Sequence, residues 1–160
     1  MMTLSGPRLD LVLQTPDEVE HMIESLSDAD RAEVSPDWLA RVRAAREGDP
    51  WALAFRVVER STRKEVGMCS FKGPPLAGIV EIAYGIDPGD QRKGFATEAA
   101  RLLVEFAVAQ PDVAIVRAHT LPDGAASKRV LEKCGFAWVG NVIDPDDGEV
   151  SRFEYEKEEN

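Results

Sequence analysis

The chain is 160 residues long, 44% hydrophobic and 30% charged, with a formal net charge of −10. These values describe one domain large enough to bury its own core and exclude a disordered chain, and no apolar run approaches the roughly 20 residues that cross a bilayer. The acidic balance opposes binding to nucleic acid, and two histidines without a Cys/His cluster give no metal site to expect.

The opening stretch Met1 to Pro7 lacks the basic segment and long apolar core of a secretory signal, which makes the cytoplasm the expected compartment. Arg8 to Gln14 is short and branched enough for a strand. Thr15-Pro16-Asp17-Glu18 then starts a helix over residues 16–26: the threonine caps, the proline suits the first helical position and the acids favour the positive end of the dipole. Ser35-Pro36-Asp37 repeats the signal for a helix to about Glu47, broken by Gly48-Asp49-Pro50. Trp51 to Glu59 and Glu65 to Phe71 read as a hairpin around a polar turn, and Gly78 to Ile86 as the next strand. Cys69 and Cys134 both have apolar neighbours, so buried free thiols are expected.

From Phe95 the pattern becomes helical. Phe95, Ala99, Leu102, Phe106 and Ala109 share one face, with Glu98, Arg101 and Glu105 on another. Val113 to Ala118 is β-branched and short, so strand, helix and strand form a crossover whose strands are parallel neighbours. Ala126 to Lys133 is a helix, with Gly135 placed to end it in the left-handed conformation. Phe136 to Val139 and Glu149 to Tyr155 are closing strands around Asp146-Asp147-Gly148. The acids of Asp144 to Asp147 and of Glu154 to Glu159 read as solvated loop and tail. One mixed α/β domain over residues 1–160 accounts for the whole pattern.

The segment Gln91-Arg92-Lys93-Gly94-Phe95-Ala96-Thr97 lies between a strand end and a helix start, where backbone N–H groups lack intrahelical partners. A glycine at 94 and a small residue at 96 let an anion approach the main chain, the helix dipole adds attraction, and Arg92 and Lys93 add positive charge. Gln91, Gly94 and Ala96 match the Gln/Arg-x-x-Gly-x-Gly/Ala signature of the GNAT superfamily of N-acetyltransferases, which the chain resembles over nearly its whole length. Ile86-Asp87-Pro88, Gly94 to Ala99 and Ala126 to Phe136 look most like the branch that acetylates ribosomal-protein N-termini.

The resemblance implies a single-domain GNAT-like α/β fold: a mostly antiparallel mixed sheet with a parallel, splayed central strand pair, flanked by helices. It implies that residues 91 to 96, with Thr97, hold the pyrophosphate of acetyl-coenzyme A. Main-chain groups of Ala83, Tyr84 and Ile86 would meet the pantetheine or thioester, with a bulge at Gly85. Amine attack on a thioester needs a base, an oxyanion donor and an acid. By the same resemblance Glu81 is the expected base and Ser127 the expected acid, with Tyr84 as fallback, because the superfamily's tyrosine position holds Leu131. Gly124 stands where the branch commonly has asparagine, which leaves Asp123 as a partial substitute.

The acceptor is then an amine, either a protein N-terminus or a small molecule, entering beside the first two helices and the loops at Gly73 to Pro75 and Asp144 to Gly148. Asp28, Asp30, Glu33 and Asp146 are acids there that would attract it. The other reading is a coenzyme-A-binding sensor or partner-binding module without turnover. A homodimer, common among relatives, would form through an edge strand or the closing hairpin with Phe153 and Tyr155.

Overall fold

A computed structural model describes residues 2–158, so Met1, Glu159 and Asn160 lie outside the account. The described residues form one eight-stranded sheet in the order β1-β2-β3-β4-β5-β6-β8-β7. The strands are β1 (Thr3–Ser5), β2 (Leu9–Leu13), β3 (Phe55–Glu59), β4 (Glu65–Phe71), β5 (Ile79–Ile86), β6 (Ile115–Thr120), β7 (Ala137–Asp144) and β8 (Gly148–Glu156). The helices are α1 (Pro16–Glu24), α2 (Asp28–Ala32), α3 (Pro36–Ala44), α4 (Phe95–Val108) and α5 (Ala125–Lys133). β5 and β6 are parallel and every other neighbouring pair is antiparallel, as the crossover through α4 requires.

Local signals place most elements. α1 begins with a capping box between Thr15 and Glu18, and Ser35 caps α3 through the Trp38 amide. Some expectations need correction, among them the strand at Phe136 to Val139, which runs instead from Ala137 to Asp144. Residues 51–54 turn instead of extending β3, because the Leu53 N–H donates to the Asp49 carbonyl and Trp51 N–H to the Asp49 carboxylate, at 3.1 and 3.0 Å. That turn drives the Trp51 ring onto Phe71 and Phe106, with centroids 4.9 and 5.6 Å away. Glu154 to Glu156 belong to β8 and not to a tail, and Glu154 pairs with Arg117 at 2.7 Å. The three-residue β1 and the fully surface-borne α2 carry no periodic signal.

α4 is the central packing element. Phe95, Ala99, Ala100, Leu103 and Ala107 are buried against the sheet, each large one contributing about 1.5–3 kcal/mol. Phe71 stands opposite Ile82 in register and its ring meets Phe106 of α4 at 5.7 Å. Side chains alternate along a strand, so Ile82 and Tyr84 face α4 while Glu81 and Ala83 face the other side. Phe153 is 2% exposed and belongs to the core, and Tyr155 is half-buried on Phe136. Cys69 and Cys134 are buried free thiols. Among the described residues no helix is long and apolar enough to cross a membrane.

Candidate active site

The β5–β6 ladder runs from Ile79 opposite Ile115 to Ile82 opposite Ala118 and stops there. β5 continues along β4 to Ile86 opposite Gly67, and β6 along β8 to Thr120 opposite Ser151. Between Ala83–Ile86 and His119–Thr120 the sheet is therefore open. Lys72 N–H donates to the Glu81 carbonyl and Asp87 N–H to the Val66 carbonyl, each at 2.8 Å. The antiparallel alternation then commits the main-chain groups of Ala83 and Gly85 to β4 and turns those of Tyr84 and Ile86 toward the opening. Of the three main-chain candidates, Ala83 is thus the one directed away. The Gln91 side-chain amide donates to the Ile86 carbonyl at 2.9 Å.

No bulge occurs at Gly85. The irregularity lies on β4, where Val57 pairs with Gly67 and Val58 with Glu65, leaving Val66 extra. Gly67 is needed there, since a Cβ would come 2.2 Å from the Gly85 carbonyl oxygen.

The glycine segment leads into α4. Gly94 is its N-cap at φ 83°, a left-handed conformation, and no side chain caps the helix. The first-turn amides of α4 therefore keep their hydrogen-bonding capacity for an anion. They open on a cavity of about 510 Å³ walled by Gln91, Arg92, Gly94, Phe95, Ala96 and Thr97 on one side. Tyr84, Ile86 and Ser127 close it on the other. Lys93 is not in this wall: its ammonium lies 3.6 Å from buried Asp90, which also holds Lys64 at 3.1 Å. Asp123 is likewise exposed and outside the wall.

Behind the segment, Arg8 donates Nη1–H to the Lys93 carbonyl at 2.6 Å and stacks over Phe95 at 5.0 Å.

α5 supplies the far wall. Its N-cap is Gly124, so Ser127 sits in the first turn and has no capping role. Phe136 N–H returns to the Leu131 carbonyl and Gly135 N–H to that of Glu132, a Schellman ending with Gly135 at φ 89°. Leu131 is wholly buried. The Tyr84 hydroxyl is buried without a hydrogen-bond partner. Burial pushes its ionisation well above the ordinary phenol value, the neighbouring Cys134 thiol adds to this, and Ser127 nearby opposes it weakly without reaching hydrogen-bond geometry. Tyr84, one of the residues lining the cavity, therefore carries a neutral hydroxyl, and an unpaired buried hydroxyl is a place for a ligand acceptor.

On the opposite face, Glu81 Oε2 lies 3.0 Å from His119 Nδ1 and 3.3 Å from Lys72 Nζ. His119 Nε2 in turn accepts from Arg152 Nε at 3.1 Å. Asp144, at the β7–β8 turn, accepts from the amides of Asp146 and Asp147, and these bonds hold its carboxyl below the usual range, with Lys72 and His119 helping. Sequence reasoning missed His119, Lys72 and Arg152. The available signal was parity: Arg117 stands opposite Glu81, so His119, two residues on, shares its face. Asp28, Asp30, Glu33 and Asp146 are all exposed.

The acetyltransferase (GNAT) domain model matches residues 7–137. Over 89 residues the chain is 32% identical to YjdG, an uncharacterized N-acetyltransferase of Bacillus subtilis; the match covers 55% of this chain and 51% of that relative, about half its length. An acetyltransferase (GNAT family) from Bacillus anthracis superposes with a TM-score of 0.71 at 21% identity, over 99% of this chain and 100% of its own. RimL, the ribosomal L7/L12 alpha-N-protein acetyltransferase in complex with coenzyme A, does so at 0.71 and 15% identity, over 97% and 98%. The order of elements, the parted β5–β6 pair and the glycine-led α4 all agree with that match, and the chain belongs to the acetyltransferase (GNAT) domain family.

Proposed function

We propose that the protein is an acetyl-coenzyme-A-dependent N-acetyltransferase that acylates a primary amine by direct attack in a ternary complex. The observation that carries this reading is the parted β5–β6 pair, with an uncapped helix start at one end and a hydrogen-bonded glutamate at the other. The residues present fit the coenzyme: free α4 amides suit a pyrophosphate, the outward main chain of Tyr84 and the Ile86 N–H suit an added strand, and the unpaired Tyr84 hydroxyl suits an acceptor atom.

The bound co-substrate supplies an activated acyl group. Gln91, Arg92, Gly94, Phe95, Ala96 and Thr97 hold its phosphates, chiefly by main-chain amides. Glu81, on the opposite face of the sheet, takes the proton from the incoming amine directly or through water. Ser127 or Tyr84, on the α4–α5 side, returns a proton to the departing sulfur. Tyr84 is better suited, since it is neutral, buried and unpartnered. Holding both substrates on two faces of one opening supplies much of the rate by proximity.

The acceptor is a protein N-terminus or a small amine, drawn to the face where Glu81 and Asp144 lie. Leu131 and Gly124 favour a second reading, coenzyme binding without turnover. The test is release of free coenzyme A thiol across amines, peptides and aminoglycosides, beside calorimetric binding of coenzyme A. Acceptor-dependent release supports the transferase; binding with no release for any acceptor supports the second reading.

A further inference from the structure

On the face of the sheet away from α4, five charged or titratable groups on the strands or at their ends come together. Arg152 on β8 donates Nε–H to His119 Nε2 on β6 at 3.1 Å, and His119 Nδ1 lies 3.0 Å from Glu81 Oε2 on β5. Lys72, just past β4, reaches the same Oε2 at 3.3 Å, and Asp144 at the end of β7 stands close enough to feel Lys72 and His119. A guanidinium has no acceptor, so the Arg152 contact requires a lone pair on Nε2. The proton of a neutral imidazole must then sit on Nδ1, where it donates to Glu81.

We infer that His119 is a positioning residue for Glu81, fixed in its Nδ1–H tautomer by Arg152. This rests on the reading of Glu81 as base. The consequence is a division of labour between the two carboxylate oxygens. His119 and Lys72 occupy Oε2, whereas Oε1 has no hydrogen-bond partner among the described residues. The tie on Oε2 stops the carboxylate rotating and presents Oε1 at the mouth of the opening, where β5 and β6 part immediately beyond Ile82 and Ala118. Lys72 is half exposed on a flexible stem, while His119, with 15% of its side chain exposed, is held in the sheet. Of the two partners of Oε2, the imidazole is therefore the one that lasts when an amine arrives. An Nδ1–H donor to a carboxylate is a charge-assisted bond, stronger than one between neutral groups.

The experiment has two arms. Nitrogen-15 NMR of the full chain with labelled histidine reads the tautomer directly: a proton-bearing Nδ1 and a bare Nε2 at His119 are expected, and the reverse tautomer overturns the inference. Kinetics then use acetyl-coenzyme A with the amine giving fastest thiol release. His119→Phe should lower kcat by roughly 10-fold or more, general-base catalysis itself being worth about 10²–10⁴-fold, with the KM for acetyl-coenzyme A unchanged. His119→Asn, whose amide places a donor near Nδ1, should recover most of that loss. In a Glu81→Gln background His119→Phe should have no further effect. If Glu81→Gln is inactive but His119→Phe and His119→Asn both match the parent, the positioning role falls and the base assignment stands. If Glu81→Gln is as active as the parent, both fall together. Calorimetric coenzyme A binding to each variant separates these outcomes from misfolding.

Discussion

Glu98 in the first turn of α4 accepts the main-chain N–H of Arg8 at 2.9 Å and, on the same oxygen, that of Leu9 at 2.7 Å, while the Arg8 side chain returns Nε–H to its other oxygen at 3.2 Å. One carboxylate thereby joins the start of β2 to the helix that carries the glycine segment. Glu98 is 12% exposed and Arg8 49%, so the main-chain bonds weigh more than the ion pair. Glu98→Gln should lower stability by about 1–2 kcal/mol, a charged acceptor of hydrogen bonds being replaced by a neutral one. A urea midpoint that drops at constant slope is the expected result. The affinity for coenzyme A should weaken with it, because Arg8 also holds the Lys93 carbonyl.

Gly94→Ala tests the left-handed helix start. At φ 83° a side chain costs about 1–2 kcal/mol, and its Cβ would come 2.9 Å from Arg8 Nη2, the movable end of that side chain. The variant should fold with reduced stability and bind coenzyme A more weakly than the parent. Calorimetry of the folded variant checks this, and parental affinity would remove the segment from the phosphate site.

Tyr84→Phe should move stability and activity in opposite directions. Without ligand it removes an unpaired buried hydroxyl, a group that costs about 1–3 kcal/mol, so the variant should be at least as stable as the parent in urea. Its kcat should fall if the hydroxyl meets the sulfur. A variant both less stable and fully active would show the hydroxyl paired and idle.

Asp10 gives a pH dependence of known sign. The Ser5 hydroxyl, at 2.8 Å, is the main cause that lowers its pKa, followed by Arg63 at 3.2 Å and the charge of Arg60. A folded-state value below the unfolded one stabilises the protein above the ordinary aspartate value of about 3.9, and this is lost as pH falls through the folded value. The stability difference between parent and Asp10→Asn should therefore be largest near neutrality and shrink in acid. A difference constant from pH 7 to pH 2 would remove this account.

Sequence by itself determined the elements whose causes are local. Thr15 and Ser35 cap because their hydroxyls reach amides three residues on, Gly135 ends α5 because only a left-handed residue closes that turn, and the α4 stripe needs one side of one helix. The coenzyme segment was legible for the same reason, since Gln91, Gly94 and Ala96 lie within six residues. Only the tertiary structure decided the rest. The Asp49 bonds turn Trp51 out of a strand-like run, but the surface that its ring then meets, Phe71 and Phe106, is set by the fold. Lys93 turned to Asp90, which is buried by the fold, and Asp123 fell outside the wall that Ala126 and Ser127 help to form. His119 and Arg152 come from two strands and Lys72 from the end of a third, and which of them meets Glu81 depends on sheet register, a long-range property of paired backbones.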